Sequence, residues 1–97
     1  MNLNLNYEGF ETNLISKEPS FGGVQYRFKF DNRYGASVIK HKYSYGSADD
    51  LWELAVLGYS AVYPRGKLTF DTPITEDVEG YLTDEEVRNL LAQIKEL

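Results

Sequence analysis

A single amphipathic helix near the C-terminal end is the feature that most constrains how this chain folds. Thr83 and Glu86 stand at the two positions of a capping box, in which each side chain accepts a hydrogen bond from the other residue's amide. The apolar residues that follow at helical spacing are Val87, Leu90, Leu91, Ile94 and Leu97. This pattern predicts a helix over residues 84–96 with one apolar face. One helix cannot form a core alone, so its apolar face must pack against another element, and we expect that element to be a sheet.

A run of alternating apolar and polar residues at 24–30 predicts a strand of that sheet. Its inward-facing residues are Val24, Tyr26, Phe28 and Phe30. Alternation without a break is typical of a strand with one buried face. Turn-forming residues follow the run, and a return strand over residues 36–43 is expected to complete a hairpin.

Residues 51–57 fit two structures. They are compatible with a helix capped by the preceding Ser-Ala-Asp-Asp, or with a strand that places Trp52, Leu54 and Val56 inward. We favour the strand because the segment is short and Gly58 ends it. Smaller elements are expected at 12–16 (a strand), at 67–70 (a second hairpin arm) and at 75–79 (one helical turn).

These elements predict an α+β fold in one domain over residues 1–97. The sheet is expected to be mostly antiparallel with four to five strands, and the C-terminal amphipathic helix is expected to pack on one of its faces. The sheet residues assigned to the core beneath the helix are Tyr26, Phe28, Trp52 and Leu54. A chain of 97 residues with 42% hydrophobic residues has enough apolar mass for one such two-layer core.

Composition excludes several classes of site. The chain has no cysteine, so a disulfide framework, a thiolate zinc site and a cysteine nucleophile are all excluded. The first residues lack the basic and apolar regions of a signal peptide, and no stretch approaches the roughly 20 apolar residues of a membrane helix. We therefore expect a soluble, cytoplasmic protein that does not contact a membrane.

The remaining residues contain no motif for catalysis. His41 is the only histidine, so neither a catalytic triad nor a histidine metal site is indicated. Asp49 and Asp50 lack the alternating acidic spacing of a calcium loop. The Gly22-Gly23 pair belongs to neither glycine-rich phosphate-binding motif. We predict a non-enzymatic protein with no catalytic residue, no metal site and no cofactor.

Charge and aromatic content indicate a protein that binds another protein. Residues 68–87 carry seven acids and no Lys or Arg, and the helix dipole accounts only for the three acids of its first turn. The candidate interface is an acidic ridge together with the tyrosines of the 58–66 loop, which we expect to be exposed. These residues are Asp71, Glu76, Asp77, Glu79, Tyr59 and Tyr63.

A single-stranded nucleic-acid-binding module is the alternative. Its surface would be the basic outer face of the hairpin with an aromatic residue for base stacking. The residues of this surface are Arg27, Lys29, Lys40, Lys42 and Tyr43. The net charge of −5 and the absence of an RNA-recognition string argue against this alternative.

Four stretches of the chain resemble small uncharacterised proteins of tailed bacteriophages and prophages. They lie at residues 34–41, 51–57, 71–75 and 82–87, and the resemblance extends over about residues 22–97. It implies a bacterial host cytoplasm and an accessory gene. Such a protein would bind, and inhibit, a host protein such as a nucleic-acid-processing or defence enzyme. The second alternative that the resemblance implies is a structural or assembly component of the phage.

Overall fold

The computed structural model describes residues 1–74 and 78–97, and it shows an antiparallel sheet with one helix packed on it. The strands are β1 (Leu14–Ser20), β2 (Gly23–Lys29), β3 (Tyr34–Lys40), β4 (Trp52–Gly58), β5 (Lys67–Leu68) and β6 (Glu79–Leu82), and the helix is α1 (Asp84–Lys95). Strands β1 to β4 are neighbours in chain order. The far edge of β4 is shared, since β5 pairs with its C-terminal end and β6 with its N-terminal half. The predicted α+β fold is confirmed.

Side chains form hydrogen bonds with the backbone at both ends of the helix. Thr83 Oγ1 accepts from the Glu86 amide at 3.2 Å, and Glu86 Oε1 accepts from the Thr83 amide at 3.1 Å, which confirms the capping box. At the other end the Asn32 amide group donates to the Ile94 carbonyl at 2.8 Å and also reaches the carbonyls of Lys95 and Leu97. The β2–β3 turn thereby satisfies carbonyls that the helix leaves unpaired.

The core lies between the helix and one face of the sheet, as the alternation predicts. Side chains that are almost wholly buried include Tyr26, Phe28, Trp52, Leu54, Val87, Leu91 and Ile94. The first ten residues also cross this face, which sequence reasoning did not foresee. The Tyr26 hydroxyl donates to the Leu3 carbonyl at 2.8 Å and accepts from the Leu5 amide at 3.2 Å. These bonds fix the N-terminal segment over the core.

The opposite face of the sheet is covered by the loop between β4 and β5. Tyr59 is only 5% exposed, and a Cβ atom at Gly35 would lie 2.8 Å from its ring. Further along the loop, Arg65 Nη2 pairs with Glu18 Oε1 of β1 at 2.9 Å. The loop therefore extends from β4 back across the sheet to β1.

Element bounds differ from prediction at several places. Strand β1 is longer than the segment predicted at 12–16, the return strand ends before residue 43, and residues 51–57 are confirmed as a strand. Residues 75–77 of the predicted helical turn lie outside the described residues, and Glu79 belongs to a strand, so the prediction is wrong there. The sequence did not predict β6, because only one of its residues, Leu82, is buried and the strand therefore has no alternating pattern.

Within the part of the chain that the structure describes, no helix has the length and apolar content needed to span a bilayer.

Candidate functional site

Exposed aromatic side chains converge at the end of the sheet where β3 finishes and β4 starts. They come from the β1–β2 turn, from the segment after β3 and from β6, three pieces of chain that the antiparallel order brings to the same end. We call this surface the aromatic end and define it by Phe21, His41, Tyr43, Tyr45 and Tyr81.

Three of these rings contact one another edge to face. The Phe21 ring centroid lies 5.3 Å from that of His41 and 5.5 Å from that of Tyr43, with interplanar angles of 63° and 74°. This is the favoured geometry for aromatic pairs, so the rings hold one another in place. Yet Phe21 is 68% exposed and Tyr43 is 67% exposed. The cluster is ordered without being buried.

The other two tyrosines stand side by side next to it. The Tyr81 amide donates to the Tyr45 carbonyl at 3.4 Å, and the Tyr45 amide donates to Glu53 Oε1 at 3.1 Å. A Cβ atom at Gly80 would lie 2.6 Å from the Tyr45 Cβ, so the absence of a side chain there permits the close approach. Both tyrosines project their rings into solvent.

Backbone conformation at the aromatic end is costly for the residues that occupy it. Phe21 has φ of 42° and Gly22 has φ of 77°, which together form a two-residue hairpin turn between the paired Ser20 and Gly23. Such turns favour Asn-Gly because the first position also needs positive φ. Tyr81 has φ of 57° as well. A left-handed backbone costs an L-residue roughly 1–2 kcal/mol, and at Phe21 the edge-to-face contacts with His41 and Tyr43 offset part of that cost.

Directly beneath the aromatic end lies Lys40, which is 2% exposed. Its Nζ atom is 4.2 Å from the centroid of the Trp52 ring, 3.1 Å from Asp50 Oδ1 and 2.8 Å from the Asn2 carbonyl. The prediction that Lys40 lies on the basic outer face of the hairpin is therefore wrong. Alternation along β3 places it on the same face as Val38, under the helix layer.

Asp50 links this buried cation to the N-terminal segment. Its carboxylate accepts from the Asn2 amide at 2.7 Å as well as from Lys40. These two interactions, the amide first, lower the pKa of Asp50. The carboxylate thus stays ionised in the fold and fixes the segment before β4, although Asp50 itself has a left-handed φ of 60°.

The other residues of the predicted nucleic-acid surface are separated. Arg27 and Lys29 lie on the face covered by the 59–66 loop, where Lys29 Nζ is 5.4 Å from the Tyr59 ring. Lys42 and Tyr43 lie at the aromatic end, with Lys42 Nζ 5.6 Å from the Tyr43 ring. Together with the burial of Lys40, this means that the five residues do not form one surface.

The residues of the predicted protein interface are also divided. Tyr59 is buried, so the prediction that it is exposed is wrong, whereas Tyr63 is exposed. Asp71 lines a cleft near the β2–β3 turn, and Glu79 lines a different groove beside the helix. Two further members of the acidic ridge, Glu76 and Asp77, lie outside the described residues.

The one histidine of the aromatic end takes part in its hydrogen bonding. His41 Nδ1 accepts from the Tyr43 amide at 3.0 Å, which gives this imidazole a structural role. Across residues 1–74 and 78–97, no group of three His, Cys, Asp or Glu side chains is close enough to hold a metal ion. The sequence contained the Phe-Gly-Gly turn and the tyrosines after β3, but only the strand order shows that they meet.

No protein-family model, curated protein or solved structure matches this chain.

Proposed function

We propose that this protein is a non-enzymatic binding protein that contacts another protein through its aromatic end. The observation that carries this proposal is the ordered, exposed cluster of Phe21, His41 and Tyr43. Aromatic residues are enriched where binding energy is concentrated in protein interfaces. Rings that are already held by their neighbours lose little conformational freedom on binding, which favours affinity.

The surroundings of the cluster fit a protein partner. Lys42 carries a positive charge beside Tyr43, while Glu53 of β4, which accepts from the Tyr45 amide, supplies a negative charge. Charges of both signs around an aromatic centre are the usual anatomy of a protein interface, with an apolar middle and a polar rim. A surface for nucleic acid would instead carry mainly positive charge.

The resemblance to proteins of tailed bacteriophages and prophages supports a bacterial host protein as the partner, bound in the host cytoplasm. By analogy the partner would be a nucleic-acid-processing or defence enzyme, and binding would inhibit it. A structural or assembly role in the phage is the alternative from the same resemblance. The two differ in whether the partner is encoded by the host or by the phage.

The acidic residues of the 71–79 segment enter the proposal as steering charges. Asp71 and Glu79 are exposed, and like charges on a surface raise the association rate of a basic partner more than they prolong the complex. Reversing Glu76, Asp77 and Glu79 to lysine is expected to slow association at low salt and to have less effect at high salt. An unchanged association rate would remove these residues from the interface.

Capture of partners from a bacterial lysate tests the main proposal. Wild-type protein is compared with Phe21→Asn/Tyr43→Ser and with a control, Val62→Ser/Leu68→Ser, which removes two exposed apolar side chains at the other end of the sheet. Asparagine suits the left-handed position of Phe21, so the first variant should keep the fold. Proteins that wild type and control retain, and the first variant loses, would support the aromatic end. Equal retention by all three would overturn it.

A further inference from the structure

Half of the basic residues of this acidic protein surround one loop. Three grooves of about 750, 380 and 340 Å³ adjoin one another around residues 59–67, and the first two share Arg33 while the last two share Pro64. We call them together the basic groove. Of the ten Lys and Arg residues in the chain, those that line it are Arg27, Lys29, Arg33, Arg65 and Lys67.

Positive charge in the basic groove is only partly neutralised. Among the described residues two acids line it, Glu18 and Asp71, and Glu18 is paired with Arg65. In the described part of the chain Lys29, Arg33 and Lys67 make no ion pair. The local charge is therefore opposite in sign to the net charge of −5 of the whole chain.

Arg27 has one guanidinium nitrogen that no described residue satisfies. Its Nη1 atom is buried and makes no hydrogen bond to any described residue. A buried guanidinium nitrogen without an acceptor is costly, and an anion at the surface above it would recover part of that cost.

Arg33 is fixed at the rim of the groove by its backbone. It has a left-handed φ of 67°, its amide donates to the Phe30 carbonyl at 3.2 Å, and its carbonyl accepts from the Tyr59 amide at 2.8 Å. The turn therefore fixes the point from which the exposed Arg33 side chain leaves the backbone.

Flat rings lie beside these cations. Tyr63 and Phe70 both line the largest groove and are both 45% exposed. Lys67 Nζ lies 5.1 Å from the centroid of the Tyr63 ring. Cations that follow a groove, with exposed rings among them, are the features that bind single strands of nucleic acid.

We propose that the basic groove binds a single strand of nucleic acid, separately from the aromatic end. Phosphates would contact Lys29, Arg33 and Lys67, and bases would stack on Tyr63 and Phe70. An acidic protein segment would use the same cations but has no need of the exposed rings, which is why we favour the nucleic acid. The net negative charge of the chain then limits binding to this one surface.

Fluorescence anisotropy with a labelled oligothymidylate of about ten nucleotides tests this. The wild-type protein is expected to bind at low salt, with the logarithm of affinity falling linearly against the logarithm of salt concentration. Arg33→Glu/Lys67→Glu should abolish detectable binding. The matched control is Lys17→Glu/Lys95→Glu, which makes the same change in net charge at exposed positions elsewhere and should retain most of the affinity.

Removing the rings separates stacking from charge. Tyr63→Ser/Phe70→Ser should weaken binding at least tenfold, since both rings on which bases stack are removed, while the salt slope stays close to that of the wild type. Thermal melting confirms that each variant is folded.

Three outcomes would overturn the proposal. The first is no binding of the oligonucleotide by the wild-type protein at low salt. The second is equal loss of binding in the matched control, which would mean a response to net charge alone. The third is displacement of the labelled oligonucleotide by polyglutamate of similar length at the concentration at which unlabelled oligonucleotide displaces it. That result would assign the groove to acidic protein segments.

Discussion

The two faces of the sheet are covered in different ways. Under the helix, the strands present large apolar side chains such as Tyr26, Phe28 and Leu54, and each is almost wholly buried. Under the 59–66 loop the same strands present mostly small or polar side chains such as Arg27 and Ser37, with Leu57 buried among them, and the buried ring of Tyr59 covers part of this face. The helix face is a packed core, whereas the loop face is a thin cover over a partly polar surface.

The two faces also differ in how they satisfy a buried cation. Lys40 on the helix face has a carboxylate, a carbonyl and the Trp52 ring as partners. Arg27 on the loop face has a buried nitrogen with no hydrogen-bond partner among the described residues. A core satisfies the polar groups that it buries. The loop face leaves one unsatisfied, which is consistent with a surface completed by a ligand.

The largest expected effect is at the centre of the helix face. Leu91→Asp would bury a carboxylate among Trp52 and other apolar side chains, and we expect it to lower the free energy of unfolding by more than about 4 kcal/mol. Leu90, one residue earlier, is only partly buried, so Leu90→Asp should cost clearly less. Urea denaturation measures both. Equal losses would mean that the helix packs with a different rotation.

A matched pair of leucines compares the two faces directly. Leu54 faces the helix and Leu57 faces the loop, and both belong to β4 and are buried. Leu54→Ala should cost about 2–5 kcal/mol, as for other large-to-small changes in a core. Leu57→Ala should fall at or below the lower end of that range, because the loop relaxes into the cavity more readily than a helix does. If the two losses are equal, the loop is as rigid a cover as the helix.

The helix face could be predicted from the sequence because it depends on periodic patterns and on contacts between residues close together in the chain. Alternation in β2, the apolar stripe of α1 and the capping box at Thr83 each follow from residues close together in the chain. The same alternation, extended along β3, would have placed Lys40 beside Val38. It was assigned to the exposed face with the other bases of the hairpin because lysine is seldom buried. A buried lysine needs partners, and here one of them, Asn2, is distant in the chain and is not revealed by spacing.

The loop face and the candidate sites depend on long-range geometry. Nothing in the 59–66 segment indicates that it folds back to Glu18, so Tyr59 was expected to be exposed. The aromatic end is likewise assembled from Phe21, Tyr43 and Tyr81, which are far apart in the chain and meet only through strand order. Residue types were sufficient to predict binding surfaces in general, but not which side chains share one.

A smaller effect is expected at the start of the helix. Thr83→Ala removes the oxygen that accepts from the Glu86 amide, which should cost on the order of 1 kcal/mol. Hydrogen exchange at the first-turn amides should accelerate correspondingly. Thr83→Ser keeps the acceptor and is the matched control. Loss in the serine variant as large as in the alanine variant would mean that packing of the threonine methyl group, rather than the cap, is responsible.

The smallest effect concerns the one polar bond by which Tyr59 secures the loop face. Its hydroxyl donates to the Phe28 carbonyl at 3.2 Å. Tyr59→Phe removes this bond and keeps the ring, so we expect a loss of about 0.5 kcal/mol near neutral pH. The size alone does not identify the bond, because a phenylalanine at this position also changes the polarity of the cavity. The way in which the loss depends on pH does identify the bond.

Burial raises the pKa of Tyr59, and the nearby Arg27 and Arg65 oppose this to a lesser extent. The folded state therefore holds the phenol proton more tightly than the unfolded chain does. The stabilisation from the neutral hydroxyl is complete below the pKa of an unfolded tyrosine, about 10, and it is lost as the pH rises through the higher folded value. Denaturation of wild type and Tyr59→Phe from neutral to alkaline pH should show the wild-type advantage shrinking above pH ~10, since every other tyrosine is common to both proteins. Parallel stability curves would show that the hydroxyl is solvated, and that the loop is held by the Arg65–Glu18 pair and the Tyr59 ring alone.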